Sequence, residues 1–204
     1  MTGDERDPQV EELPEPHDGM TPEQKGVLLV EYIAGARSVA GLDFSGVKLL
    51  GVSLSGADLR HVNLSGADLR SCEFKDVVLS GSDLRNANLQ GAIFPGTRMI
   101  DVNFGGANAR LTAFAGTDLR GCCLVGVGLQ GAQLLYVVAE GADFTGAKLQ
   151  NAVLSACSLS DIRGAELCLA PGGYPTNRAS LDAATYARSG WSPDILRELV
   201  EAGL

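Results

Sequence analysis

Two histidines and five cysteines hold most of the reactive chemistry in this chain of 204 residues. A nucleophile, a base and an orienting group cannot be assembled around His17 or His61, which stand isolated from each other. No group of Cys, His, Asp and Glu has the spacing of metal ligands, so neither a metal nor another cofactor is expected. Cys72, Cys122, Cys123, Cys157 and Cys168 are odd in number and follow no export signal, which points to reduced thiols rather than a disulfide framework. An enzyme is therefore not expected, and the chain should act by contact.

The charge that such contact would use is unevenly spread. The net charge is −9, from 25 acids and 16 bases. Residues 1–42 hold nine acids and three bases, residues 43–161 eleven and nine, and residues 162–204 five and four. Residues 1–20 mix Glu, Asp and Pro with few aliphatic side chains, too few to offset the entropy of ordering, and read as a disordered acidic tail. No stretch reaches the roughly 18 apolar residues of a membrane span, and the opening is acidic rather than basic and then apolar. No membrane partner is expected, and a cytoplasmic location is. Only 5% of the residues are aromatic while 26 are glycine, so an ordinary close-packed core is not what organises the chain.

A period of five residues organises it instead. From Phe44 to Leu159, every fifth residue gives 24 positions, of which 21 are Leu or Phe. All six phenylalanines lie in this register. A small residue such as Ala57, Ala67, Cys72, Ala87 or Cys157 stands two places before the large one, and glycine is commonest two places after it. Five residues rotate about 140° on an α-helix, and an odd step on a strand changes faces. The chain must therefore turn a corner in each repeat. Small and large residues then point inward, the residue between them points out, and glycine takes the corner.

The repeats Ala57-Asp58-Leu59-Arg60, Ala67-Asp68-Leu69-Arg70, Ala87-Asn88-Leu89-Gln90-Gly91 and Ala142-Asp143-Phe144-Thr145-Gly146 resemble the A-(D/N)-L-X-X pattern of the pentapeptide-repeat family. The resemblance spans residues 42–169 and implies an all-β solenoid, a right-handed quadrilateral β-helix with four repeats per coil. About six coils, each rising about 4.8 Å, would form a rod of roughly 29 Å. Folding the sequence by twenty sorts the large residues into four sides. Phe44 begins the first, Leu49 the second, Leu54 the third and Leu59 the fourth, and Phe74, Phe94 and Phe114 fall in succession on the third.

Open β-helix ends invite stacking, and short helical caps are expected at both. Residues 21–41 form the N-terminal cap, opened by Thr21-Pro22 with Leu28, Leu29, Tyr32, Ile33 and Ala36 at helical spacing. Residues 170–204 form the C-terminal cap, with a helix from Ser180 to Arg188 and a second opening at Ser192-Pro193 with Ile195, Leu196, Leu199 and Val200 on one side. Relatives of this family pair through C-terminal elements, so the resemblance offers Trp191 as a dimer contact.

Sorting the outward residues by side singles out one surface. On the third side these include Ile93, Pro95, Ala113, Ala115, Leu135 and Val153. The fourth adds Val78, Ile100 and Val138, and Tyr136 stands at the corner between them. A contiguous apolar surface marks an interface, and this one is expected to dock a protein partner or a second copy of the chain unless the terminal segments cover it. The resemblance also implies a second function, a DNA-mimicking protein that protects DNA gyrase from inhibitors. Against it, Arg60, Arg70, Arg85, Arg110 and Arg120 accompany the aspartates and asparagines, leaving Asp43, Asp83 and Asp143 as a local acidic stripe. Direct nucleic-acid binding is not expected, because no basic face appears. Two irregularities remain. Ala109 and Ala139 replace a large core residue, and Leu111 and Tyr136 occupy corners where glycine is usual, so the chain should distort there.

Overall fold

The computed structural model describes residues 13–164 together with residues 180–181. Its helix, α1 (Pro22–Ala34), begins with a capping box: Gln24 N donates to Thr21 Oγ1 at 3.2 Å, and Thr21 N donates to Gln24 Oε1 at 2.8 Å. Ahead of it, in the segment expected to be an acidic tail, Leu13 and Met20 pack partly buried against the core, and the Tyr32 hydroxyl donates to Leu13 O at 3.4 Å.

Beyond α1 the backbone pairs with itself in parallel at an offset of twenty residues. Asp43, Asn63, Asp83, Asn103, Cys123, Asp143 and Arg163 form one continuous ladder, and three more begin at Lys48, Ser53 and Asp58. Each bridging residue from Asp43 to Ser158 directly precedes a buried central one, large except at Ala109 and Ala139, so four bridges separated by four corners complete a twenty-residue coil. A β-turn bond closes most corners, as where Val47 N donates to Phe44 O at 3.1 Å with Gly46 at φ 67°. Type II turns require such a positive φ at their third residue, which is the physical reason glycine recurs there.

On the third side the chain is extended enough to form strands. β1 (Ala113–Ala115), β2 (Gln133–Leu135) and β3 (Val153–Ser155) stack in parallel, and β4 (Ser180–Leu181) joins them. β4 pairs Ser180 with Val153, 27 residues earlier rather than twenty. The helix expected from Ser180 is therefore replaced at its start by a strand, because the open edge of β3 offers backbone partners that an isolated helical turn lacks. The rest of that expected helix, the helix at Ser192-Pro193 and Trp191 lie outside the described residues.

The 24 large positions face inward and form one core with the small ones. Cys72, Cys122 and Cys157, expected as filler, also act as donors: their thiols reach the carbonyls of Leu49, Met99 and Leu134, the last two at 2.7 and 3.1 Å. Burial raises the Cys72 thiol and pushes that of Cys122 up to about 12, so neither supplies thiolate near neutral pH. Ala109 and Ala139 sit fully buried in their columns, and their amides donate to Gly128 O and Ser158 O at 2.8 Å each, so the ladders pass both alanines unbroken.

The expected distortion at Leu111 and Tyr136 is not found. Both adopt φ 57°, close to the Gly131 value of 69°, and the corner amides stay bonded: Leu111 N to Gln130 O at 3.0 Å, Tyr136 N to Ser155 O at 2.8 Å. Gly116 and Ala156, above and below Tyr136, share its bend, so the large side chain does not cause it. The ladder imposes the corner, and the side chain bears the strain.

α1 lies against the first coil. Leu29 and Tyr32 are buried, Tyr32 meeting Phe44 edge to face at 6.3 Å. Pro22 O accepts from Lys48 N at 3.2 Å, and Lys25 Nζ donates to Ser45 O at 3.2 Å. Both partners belong to the coil's open edge, so the helix satisfies backbone groups that would otherwise template another strand.

A candidate docking face on the third side

The wall behind the expected interface is built from aromatic rings. Phe74 and Phe94 stack at 4.6 Å with 13° between their planes, and Phe94 and Phe114 at 5.0 Å with 7°. Threonines at the small inward positions tie down this column: Thr97 Oγ1 donates to Phe74 O at 2.5 Å, and Thr117 Oγ1 to Phe94 O at 2.8 Å. Rungs at 2.8 Å, such as Phe94 N to Ala113 O and Gln133 N to Thr112 O, hold successive coils in register. The side chains that point outward from this wall therefore stand on a preorganised support.

The outward chains form two columns. Ile93, Ala113, Gln133 and Val153 make one, and Pro95, Ala115, Leu135 and Ser155 the other, with no charged group among them. Ile93 is 41% exposed, Val153 39% and Tyr136 70%. Pro95, Ala113, Ala115 and Leu135 are half-buried, as are Ile100 and Val138 around the corner. Ala113 and Ala115 form a shallow step between the bulkier pairs Ile93/Pro95 and Leu135/Val153. Leu111, which the sequence marked only as an irregular corner, borders the opposite edge of this surface. It is 61% exposed, with its Cδ2 lying 2.7 Å from where a Cβ on Gly131 would sit. A large apolar residue at a corner position is the signal that could have found it.

The other sides differ in character. Arg60, Arg70, Arg85 and Arg120 each grip the aspartate two residues earlier, with the closest N···O distance 2.7 Å for Arg70–Asp68 and 2.6 Å for Arg85–Asp83 and Arg120–Asp118. These guanidinium hydrogen bonds hold the carboxyls of Asp58, Asp68, Asp83 and Asp118 below the usual carboxylate range. The acidic stripe of the first side is similarly countered: Asp43 lies 4.0 Å from Lys25, and Asp143 lies 4.0 Å from Arg163. Among the described residues no cluster of His, Cys, Asp and Glu is placed to hold a metal ion, and no helix is long and apolar enough to cross a membrane.

Tyr136 separates folding from contact. Its left-handed φ is unfavourable for any residue with a Cβ, so Tyr136→Gly should raise stability by about 1 kcal/mol. The same substitution removes the most exposed ring of the face and should weaken partner binding. Thermal melts and binding measured on one preparation would check the opposite signs, and a lowered melting temperature would contradict the strain.

Parallel self-pairing at a constant offset defines a β-helical repeat protein. A family model described as pentapeptide repeats (8 copies) matches residues 40–76, 72–108, 97–134 and 122–161, and the chain belongs to that family. Among solved structures it is similar to HetL, a pentapeptide repeat protein involved in heterocyst differentiation regulation from the cyanobacterium Nostoc sp. strain PCC 7120. That match has 22% identity over 76% of each chain and a TM-score of 0.48. It is also similar to QnrB1, a plasmid-mediated fluoroquinolone resistance protein, at 21% identity, 71% of this chain, 82% of that one and a TM-score of 0.33. A pentapeptide repeat protein of the Arabidopsis thaliana thylakoid lumen matches at 26% identity over 52% of this chain and 68% of its own, with a TM-score of 0.26. No curated protein matches the chain.

Proposed function

We propose that this protein is a non-catalytic docking module, a right-handed four-sided β-helix of about six coils closed at both ends, which binds a protein partner through its third side. The observation that carries this reading is the uncharged surface from Ile93 to Val153, flanked by Leu111 and Tyr136 and backed by stacked phenylalanines. Apolar side chains on a rigid wall lose little freedom on binding, so their burial converts efficiently into affinity. Ile100 and Val138 extend the contact around the corner.

Replacing Ile93 and Leu135 together by lysine places two charges in the contact and should weaken partner binding on the order of a hundredfold. Melting should change little, because both side chains point outward. Affinity capture with wild-type and I93K/L135K baits, alongside their masses in solution, checks this. If capture and mass are both unchanged, the docking face is wrong.

Protection of DNA gyrase by DNA mimicry is the second reading, supported by the first-side aspartates Asp43, Asp83 and Asp143. It ranks below docking because each of these lies near a cation, Arg85 at 2.6 Å and Lys25 and Arg163 at 4.0 Å. A gyrase supercoiling assay with a topoisomerase poison separates the two: protection that survives in I93K/L135K would favour mimicry.

A further inference from the structure

The two outward columns of the third side carry a pattern of bulk that complements itself. Within one copy, Ala113 and Ala115 of β1 neighbour Gln133 and Leu135 of β2 in the sheet. A two-fold axis running along the strands, midway between β1 and β2, would lay β1 of each copy on β2 of the other. Leu135 then meets Ala115, Gln133 meets Ala113, and Ile93 faces Val153, so in the two central coils each large side chain falls on a small one. At the corner Tyr136, 70% exposed, stands opposite Gly116, where a side chain would find nothing within 4 Å. A two-fold makes every such contact twice, so one pattern serves both copies. The same rotation keeps the strands of the two sheets aligned, an arrangement in which facing sheets pack about 10 Å apart.

Charge selects the same side. Copies of a chain with net charge −9 repel one another, and a contact between them must avoid setting like charges together. In the four coils from Ile93 to Ser155 neither outward column holds a charged residue, and neither do the corners that border them. No other side runs more than two coils without one. We propose that the occupant of the third side is a second copy of this chain, bound antiparallel about that two-fold. This rests on that face being the docking surface, and it names the partner. Four coils rise only about 19 Å, and interfaces of less than about 1,200 Å² in all are weak, so the dimer forms and dissociates with concentration.

Sedimentation equilibrium of the full chain from about 1 μM to 1 mM tests the proposal, beside Ala115→Arg, which fills the seat of Leu135 from an outward position. The mass should rise from one copy to two and stop there, because a two-fold contact closes on itself. Ala115→Arg should weaken the association at least about tenfold. A mass of one copy at every concentration overturns the proposal, and so does association that Ala115→Arg leaves unchanged or that grows past two copies. Orientation is read without that variant: Ile93→Cys and Val153→Cys chains are mixed and treated with a short bismaleimide, and linked peptides are identified by mass spectrometry. The antiparallel pair joins one variant to the other. Ile93→Cys alone stays unlinked at that position, since its two sites lie three coils, about 14 Å, apart along the rod. No link in the mixture, or a link at that position in Ile93→Cys alone, overturns the pairing. The docking reading fails separately: a one-copy mass with partner capture lost in I93K/L135K removes the second copy and keeps the docking face, whereas capture and mass both unchanged in that variant remove both.

Discussion

Replacing Phe94 by alanine should cost about 3–5 kcal/mol and lower the melting temperature by on the order of 10 °C. Phe94 is the middle ring of the stacked column, fully buried, with neighbours at 4.6 and 5.0 Å. The void left behind cannot close by collapse. Phe74 N to Ile93 O at 2.9 Å and Phe94 N to Ala113 O at 2.8 Å tie this rung to the coils on either side. The cost should therefore fall near the upper end of large-to-small substitutions. Ile93→Ala, one residue away but pointing outward, should change stability by less than about 1 kcal/mol. Parallel thermal melts check the pair, and similar effects at the two positions would contradict the assignment of Phe94 to the core and Ile93 to the face.

The second large effect is expected at Gly26. A Cβ at this position would stand 2.6 Å from the carbonyl oxygen of Lys48, a backbone atom that the first coil holds in place. Gly26→Val should push α1 off that coil, costing about 1–3 kcal/mol in overpacking. The consequence extends beyond stability. Displacing the helix frees Lys48 N and Ser45 O from Pro22 O and Lys25 Nζ, leaving unpaired backbone on an exposed strand edge. Concentration-dependent association should follow. Light scattering over a dilution series checks it, with Val27→Ala, at an exposed position on α1, as the control. A Gly26→Val chain that stays monomeric and melts normally would show that α1 does not protect the edge.

Where the sequence was informative, the reason lies in the period. A five-residue recurrence is incompatible with straight helix or strand, so the inward-facing residues and a corner in each repeat followed from residue types, while the folding by twenty was what the resemblance to the pentapeptide-repeat family implied. The apolar face could be listed in advance for the same reason, since adjacency on a solenoid reduces to arithmetic. Other features were hidden from such reading. Nothing in the sequence singled out Lys25, whose side chain is 7% exposed and donates to a carbonyl of the coil edge. The small inward cysteines gave no sign that their thiols would reach carbonyls 23 residues earlier. Leu111 and Tyr136 suggested distortion, whereas Leu111 keeps the common turn and Tyr136 shares its bend with Gly116 and Ala156.

Residue types and spacing by themselves determined the five-residue repeat, its inward positions and its corners; with the four repeats per coil that the family resemblance implies, they also gave the side on which apolar residues gather, because each coil contacts the next in the same way. Tertiary structure alone decided how the coil is finished: the bonds of Pro22 O and Lys25 Nζ to the first edge, β4 paired at an offset of 27, and the exposure left to Leu111 and Tyr136. These features depend on which backbone groups remain unpaired once the coils have stacked, and no five-residue window contains that information.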